Sequence, residues 1–369
     1  MSKINDLIKE LCPNGAEYST LDKIVSIATG KLNANAMVEN GQYAFFTCDA
    51  NPFRIDTYAF DGEAILISGN GSQVGHLNYY IGKFNAYQRT YVLMDFNKDI
   101  LSKYLFHYLD AYLKKHIDEN SKKGSVPYIT LPMLKNFKVA VPPLEVQEEI
   151  VRILDKFGEL EAELEAELEA RKSQYEFWRG ELFKDTTNLI TIGETCDVLT
   201  GGEPPEDTIK GIASDDEHPY PVYGNGKEIY GYSSSYRVDK DSTVISSIGA
   251  NTGAIYYRQA FFTPIIRLKV VVPKSNNLLP RYLYYALQTS KFKSKSGSVP
   301  NLNANDIKSI RFPLVSIEKQ NRIVNILDKF EKLINDITVG LPAEIELRRK
   351  QYEYYRNKLL SFEELKVSE

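Results

Sequence analysis

The chain states one pattern twice. GSVPYITLPMLKNFKVAVPPLEVQEEIVRILDKF, from Gly124 to Phe157, returns 173 residues later as GSVPNLNANDIKSIRFPLVSIEKQNRIVNILDKF, from Gly297 to Phe330. QYEFWRGEL from Gln174 returns as QYEYYRNKL from Gln351, so the interval between the two motifs is four residues longer in the second copy. The segments that precede each copy diverge almost completely. Two near-identical scaffolds carrying two unlike heads suggest a device that holds two different recognition surfaces in fixed relation. At 369 residues the chain is long enough for two domains, each with its own core.

The repeat boundaries divide the chain into four segments: a first head over 1–143, a first spacer helix over 144–184, a second head over 185–317 and a second spacer helix over 318–369. Both helices open after a proline-containing strand end, VAVPPLEVQ and IRFPLVSIEKQ, where proline stops an extended run and suits a helix entry. In the first helix Ile150, Leu154, Phe157, Leu160, Leu164 and Leu168 recur mostly at intervals of three, four or seven, which makes one apolar stripe. Ile323, Leu327, Phe330, Leu333 and Ile337 repeat it in the second. Such a stripe can belong to a core helix packed on its own domain. Helices of roughly 40 residues, far beyond the usual 11–12, with two matching stripes available to pair, favour an intramolecular coiled coil. LEAELEAELEA from Leu160 to Ala170 is a four-residue repeat of strong helix formers, whereas the second helix carries Gly340 and Pro342, which predict a kink or short break.

The heads read as mixed α/β. Strand-like runs cover Glu63–Ser68 and Thr90–Met94 in the first head, and Ser242–Ser247 and Ile265–Val272 in the second. A helix with aromatic spacing follows in each, with Tyr104, Tyr108 and Tyr112 in one and Tyr282 and Tyr285 in the other. Core-facing tyrosines are expected there in preference to base-stacking ones. The predicted fold class is therefore α+β, two mixed heads joined by two long helices in a pseudo-twofold repeat.

Charge is distributed unevenly. Segment 144–184 holds 6 basic against 12 acidic side chains, while each head is within one charge of neutral, so the net charge of −4 is mostly one helix. A near-neutral head can bind nucleic acid through a local patch, but with weak intrinsic affinity, so a partner would supply much of the grip. No run approaches the roughly 18–20 apolar residues of a membrane span, and MSKINDLIKELC has no signal-peptide shape. Cys12, Cys48 and Cys196 stand far apart and odd in number, so neither a disulfide framework nor a zinc knuckle is readable. A cytoplasmic, metal-free chain is the expectation.

Catalytic constellations are not legible. Asn51-Pro52-Phe53 lacks the second proline of an adenine-methylation box, and Pro204-Pro205 is followed by Glu206 instead of an aromatic. Gly69, Gly71 and Gly75 miss the dinucleotide fingerprint by one residue, and there is no phosphate-cradling G-x-x-x-x-G-K-[ST] loop. His76, His107, His116 and His218 do not cluster with carboxylates at metal spacing. No cofactor is expected.

What recurs instead is a set of polar, glycine-bearing loops. TGKLNAN (29–35) corresponds to TGGEPPE (200–206), SGNGSQVGH (68–76) to SSIGANTGA (246–254), and SKKGSVP (121–127) to SKSGSVP (294–300); the second head adds VYGNGKEIYGY (222–232). Asn, Gln, Ser and Lys read base edges or hold phosphates, and glycine lets backbone N–H groups approach closely. The candidate DNA-binding residues are Lys31, Asn33, Asn70, Ser72, Gln73, Lys122 and Lys123 in the first head. In the second they are Asn225, Lys227, Asn251, Thr252, Lys293 and Lys295. Any one loop can be a simple turn, and the four lysines beside the Gly-Ser turns are either a phosphate clamp or solvated surface charge.

With those residues assembled, the chain resembles the specificity (S) subunits of type I restriction-modification enzymes. The resemblance rests on VPPLEVQEEIVRILDKF and its copy, QYEFWRGEL and QYEYYRNKL, the repeat ELEAELEA, GLPAEIELRRKQYEYYRNKLLSF and PVYGNGKEIYGYSSSY, and it covers essentially the full length. It implies that the heads are target recognition domains, each reading one half of an asymmetric bipartite site on double-stranded DNA. It further implies that the helices form an antiparallel coiled coil that spaces the heads and docks two modification subunits, which methylate adenine, and that restriction subunits join through that modification complex. The S subunit itself would be non-catalytic. A helix of roughly 40 residues spans about 60 Å, and such a spacer suits half-sites about one DNA turn, roughly 34 Å, apart. The alternatives are a coiled-coil scaffold whose heads bind protein or RNA, and an autonomous methyltransferase.

Overall fold

The computed structural model describes residues 2–120, 128–184, 188–211, 214–289, 301–336 and 338–365. The chain forms two compact units. Unit 1 is Met1–Leu164 with Ile345–Glu369, and unit 2 is Glu165–Glu344.

In unit 1 a six-stranded sheet has the order Ser26–Thr29, Thr90–Met94, Phe60–Ser68, Leu77–Ala86, Tyr43–Phe46, Phe53–Ile55. Its central strand alternates strictly. Ile65 and Ile67 join the core beneath the helix Ser102–Asn120, while Ala64 and Leu66 face the opposite side with Phe46, Phe84 and Val92. This is the period-two consequence of a strand buried on both faces. Tyr104 and Tyr108 of the helix are buried in the first of these cores, and the Tyr104 hydroxyl donates to the Ala140 carbonyl at 3.0 Å.

Unit 2 repeats the plan with a more divided sheet. One four-stranded sheet has the order Cys196–Thr200, Lys269–Pro273, Ser242–Ile245, Ile255–Arg258; a second has Ile209–Lys210, Ile229–Ser233, Tyr220–Tyr223, Thr263–Pro264. Ile245 and Val271 face the helix Pro280–Gln288, and Val244 and Val270 face Phe262 and Leu268. Tyr282 and Tyr285 are fully buried, and Tyr282 donates to the Pro313 carbonyl at 2.7 Å, the counterpart of Tyr104 on Ala140. The strand expected from Ile265 begins only at Lys269. Ile266 and Arg267 take positive φ (24° and 65°), so the apolar run opens with a turn.

Each repeat helix is fastened to its head by the same two devices. Gln147 and Gln320 are fully buried. Gln147 accepts from the Leu101 N–H (2.9 Å) and donates to the carbonyls of Asp99 (2.8 Å) and Pro142 (2.7 Å). Gln320 accepts from the Leu279 N–H (2.9 Å) and donates to Asn277 (2.8 Å) and Val315 (2.9 Å). The aspartate of each LDKF motif then reaches the head helix: Asp155 takes Lys103 and His107, and Asp328 takes Arg281 and Tyr285. The phenylalanine of the motif turns to the helix partner. Phe157 stacks on Tyr355 with centroids 5.5 Å apart, and Phe330 meets Tyr175 at 6.5 Å.

The first helix runs unbroken from Leu144 to Lys184. The second is two helices, Ile317–Asn335 and Leu341–Leu360. The break follows from Gly340: a Cβ there would lie 2.7 Å from the carbonyls of Lys332, Leu333 and Asp336, and Pro342 follows at once. Pairing is antiparallel within each unit. In unit 1, Phe157 lies against Tyr355 and Glu161, further on, binds Arg349 at 2.5 Å. In unit 2, Tyr175 lies against Phe330, and Leu182 shares a groove with Ile323.

The expected seam residues divide by depth. Ile150, Leu154, Ile323 and Leu327 are buried in the head cores, where Leu359 and Leu360 join the first pair, so they dock helix to head as well as helix to helix. Phe157, Leu160, Leu164, Leu168, Phe330 and Leu333 are half-buried along the rod. Ile337 lies outside the described residues.

Candidate nucleic-acid interface

The recurring loops share one backbone design. In unit 1, Ser68 N–H donates to the His76 carbonyl (3.0 Å) and Gly75 N–H to Ser68 (2.8 Å), closing a hairpin loop. In unit 2, Ser246 N–H donates to Ala254 (2.9 Å) and Gly253 N–H to Ser246 (2.8 Å). Gly71 and Gly249 both have φ of +83°, a left-handed conformation that side chains resist. The pairing places Gln73 opposite Asn251 in the repeat, and both are exposed.

A short turn gathers these loops. Tyr87–Thr90 in unit 1 is held by Tyr87 N–H to Phe46 (2.8 Å), Gln88 N–H to Leu32 (2.9 Å), Gly30 N–H to Thr90 (3.3 Å) and Gly69 N–H to Arg89 (2.9 Å). Ile265–Leu268 in unit 2 is held by Ile265 N–H to Tyr223 (2.9 Å), Ile266 N–H to Gly202 (2.8 Å), Gly201 N–H to Leu268 (2.8 Å) and the Ser247 hydroxyl to the Arg267 carbonyl. A Cβ at Gly30 would lie 1.9 Å from the Ala86 carbonyl, so only glycine permits that approach. The correspondence also gives the Asn-Gly loop after Tyr223 a counterpart that the sequence does not announce, the segment following Phe46. His76 Nε2 lies 3.2 Å from the Ala50 carbonyl within that segment.

The sequence-predicted residues sort by what their side chains already hold. Asn70 is half-exposed and Lys31, Ser72, Gln73, Lys227 and Asn251 are exposed, and none makes a side-chain hydrogen bond among the described residues. Asn33 is exposed but accepts from Gln88 at 2.9 Å. Asn225 is half-buried and already engaged. Its amide donates to the Ile266 carbonyl (2.6 Å) and accepts from the Ser247 N–H (2.9 Å), so both ends brace the loops. Thr252 likewise turns its hydroxyl to the Gly249 carbonyl at 2.6 Å. Lys122, Lys123, Lys293 and Lys295 lie outside the described residues.

Arg258 is a bracing residue without a sequence signal. Its guanidinium lies 3.9 Å from the Tyr223 ring centroid and donates to the carbonyls of Gly226 (3.2 Å) and Lys227 (2.7 Å), and burial lowers its pKa. Lys269 is also buried, with Nζ on the Thr200 hydroxyl at 2.9 Å; burial and the nearby Arg267 charge lower its pKa. Both cations stiffen the loop base of unit 2.

Comparison with known proteins agrees with this doubled design. The profile of the Type I restriction modification DNA specificity domain matches residues 13–170 and again 184–347. A protein named as a type I specificity subunit of Mycoplasma pneumoniae is 34% identical over 330 residues, covering 84% of this chain and 96% of that one. The specificity subunit of the Escherichia coli type I restriction enzyme EcoR124I/EcoR124II is 34% identical over 298 residues, covering 73% of this chain and 72% of its own. In fold, the S subunit of a type I restriction-modification system from M. genitalium superposes with a TM-score of 0.63 at 18% identity, covering 94% of this chain and 96% of that one. Two profile matches spanning most of the chain, each centred on one loop-bearing head and its docked helix, place it in the family of type I restriction-modification specificity subunits.

Proposed function

We propose that this chain is the non-catalytic reader of a type I restriction-modification complex. Each head, 1–143 and 185–317, takes one half of an asymmetric bipartite site on double-stranded DNA, and the spacer helices, 144–184 and 318–369, set the register between them. The observation that carries this reading is the shared loop scaffold: the same main-chain bonds present unlike side chains, Gln73 in one head and Asn251 in the other. Such a design reads two different sequences with one geometry.

The helices also offer the same partner two faces. Phe177 and Trp178 are 60% and 46% exposed, beside a groove of about 710 Å³ lined by Leu182, Ile323, Ile326 and Phe330. Their repeat counterparts are Tyr354, 61% exposed, and Tyr355. Repeated aromatic faces suit two copies of one modification subunit, which would bring adenine methylation and recruit the restriction subunits. No described helix is long and apolar enough to cross a membrane, and the complex is assigned to the cytoplasm, where its DNA is.

The test is methylation mapping of the genome with and without this gene, repeated with 185–317 exchanged for that of a relative. A bipartite motif should vanish with the gene, and the exchange should alter one half-site alone. A motif changed in both halves, or DNA capture without sequence preference when the modification subunit is present, would instead favour a scaffold for protein or RNA.

A further inference from the structure

The two gathering turns differ in almost every side chain, AYQRT against PIIRL, yet both place an arginine at the same point. Arg89 and Arg267 each supply the carbonyl that receives the adjoining hairpin loop, from Gly69 N–H in one unit and from the Ser247 hydroxyl in the other. Both side chains are exposed, and neither guanidinium has an ion pair or hydrogen bond among the described residues. The turns are held through their own main-chain atoms and not through the arginine side chains, so the fold does not require arginine at this position. Isoleucine and glutamine, one residue earlier, show that the neighbouring position tolerates unlike chemistry.

We infer that Arg89 and Arg267 are the paired backbone anchors of the two heads, each binding a DNA phosphate at the foot of its reading loops. The inference rests on the proposed bipartite reading and adds which residues position the duplex. Heads that read different bases share only one feature of their targets, the sugar-phosphate backbone. The side chain they hold in common at the loop hub therefore suits that shared feature, while the side chains that differ suit the bases. Arginine fits a phosphate with parallel N–H donors and keeps its charge at any working pH.

The experiment uses the chain assembled with its modification subunit and two duplexes, one carrying the mapped site and one with both half-sites scrambled. Arg89→Gln and Arg267→Gln are measured beside the corresponding lysine variants across a salt series, with thermal melting to confirm folding. Each glutamine variant is expected to weaken both duplexes by the same factor and to reduce the log–log salt slope by about 0.9. Between 50 and 200 mM salt that slope change corresponds to an affinity ratio shifting by about 3.5-fold. Lysine should restore the slope. Loss confined to one base pair of the mapped site, with the slope intact, would make the arginine a base reader and overturn the inference. Wild-type affinity and slope in folded variants would overturn it as well. If the wild-type complex itself fails to prefer the mapped duplex, the bipartite reading fails; if it is selective and the variants match it, only the anchor assignment does.

Discussion

Replacing Gln147 by alanine should loosen the first spacer helix from its head. The side chain is fully buried and makes three hydrogen bonds, to the Leu101 N–H and the carbonyls of Asp99 and Pro142. Alanine leaves all three backbone groups without that partner, and an unsatisfied buried group costs roughly 1–3 kcal/mol. Water entering the vacated space recovers part of this, so the expected loss is about 3 kcal/mol. Gln147→Glu should be no gentler, because it sets a carboxylate oxygen against the two carbonyls that the amide now serves. Two compact units make a single melting point a poor reporter. Hydrogen exchange at the Leu101 amide reads the contact directly, and about 3 kcal/mol predicts exchange on the order of 100-fold faster. Gln320→Ala should do the same at the Leu279 amide while leaving Leu101 protected. Exchange accelerated less than about fivefold in both variants, corresponding to about 1 kcal/mol, would refute the clamp argument.

Alanine at Asn70, Ser72, Gln73 or Asn251 should reduce discrimination at single base pairs by roughly 1–3 kcal/mol, whereas Asn225→Ala should lower the thermal stability of unit 2; binding titrations and melting curves separate the two classes. Inserting one more four-residue unit into LEAELEAELEA extends a helix by about 6 Å and turns it about 40° beyond one full turn. Methylation mapping should then show a longer spacer with both half-sites intact. Glu149, held by Arg152 and then Lys3 against the opposing effect of burial, has its pKa lowered from 4.5 to about 2. The unfolded chain takes up that proton first, so the stabilisation is full above about pH 4.5 and declines as the pH falls toward 2. Urea titrations should therefore show a steeper acid loss in the wild type than in Glu149→Gln.

The long helices were legible because periodicity and repetition are properties of sequence, and Gly340-Pro342 marked the break as plainly. Two of the loop pairs, 29–35 with 200–206 and 68–76 with 246–254, were legible as a set, since they recur in step with the helix motifs. Their individual chemistry was not. Asn225 and Thr252 have the side chains of base readers, but an asparagine amide braces a loop as readily as it meets an adenine, and the partners they hold here, Ile266, Ser247 and Gly249, are visible only in the fold. Ile265–Val272 read as a strand from its β-branched residues, while main-chain bonds to Tyr223 and Gly202 fold its first part into a turn. Backbone hydrogen bonds leave little trace in side-chain identity, which is why the gathering turns and their arginines carried no signal. Gln147 and Gln320 stood in the repeat in plain view, but a polar residue in an apolar stripe declares itself a clamp only when its partners are known.

The Gly71 and Gly249 hairpins have a practical consequence for engineering. Their closure depends on main-chain bonds and on left-handed glycines, not on the side chains at Asn70, Ser72 and Gln73 or at Ile248, Ala250 and Asn251. Those six positions form a pair of small sequence libraries on a mount whose closing hydrogen bonds do not use their side chains. Randomising one trio while holding the other constant should yield folded variants at high frequency, so that selection for new DNA targets searches chemistry and is not first filtered by folding. A natural population of such chains would explore targets along the same path, one half-site at a time.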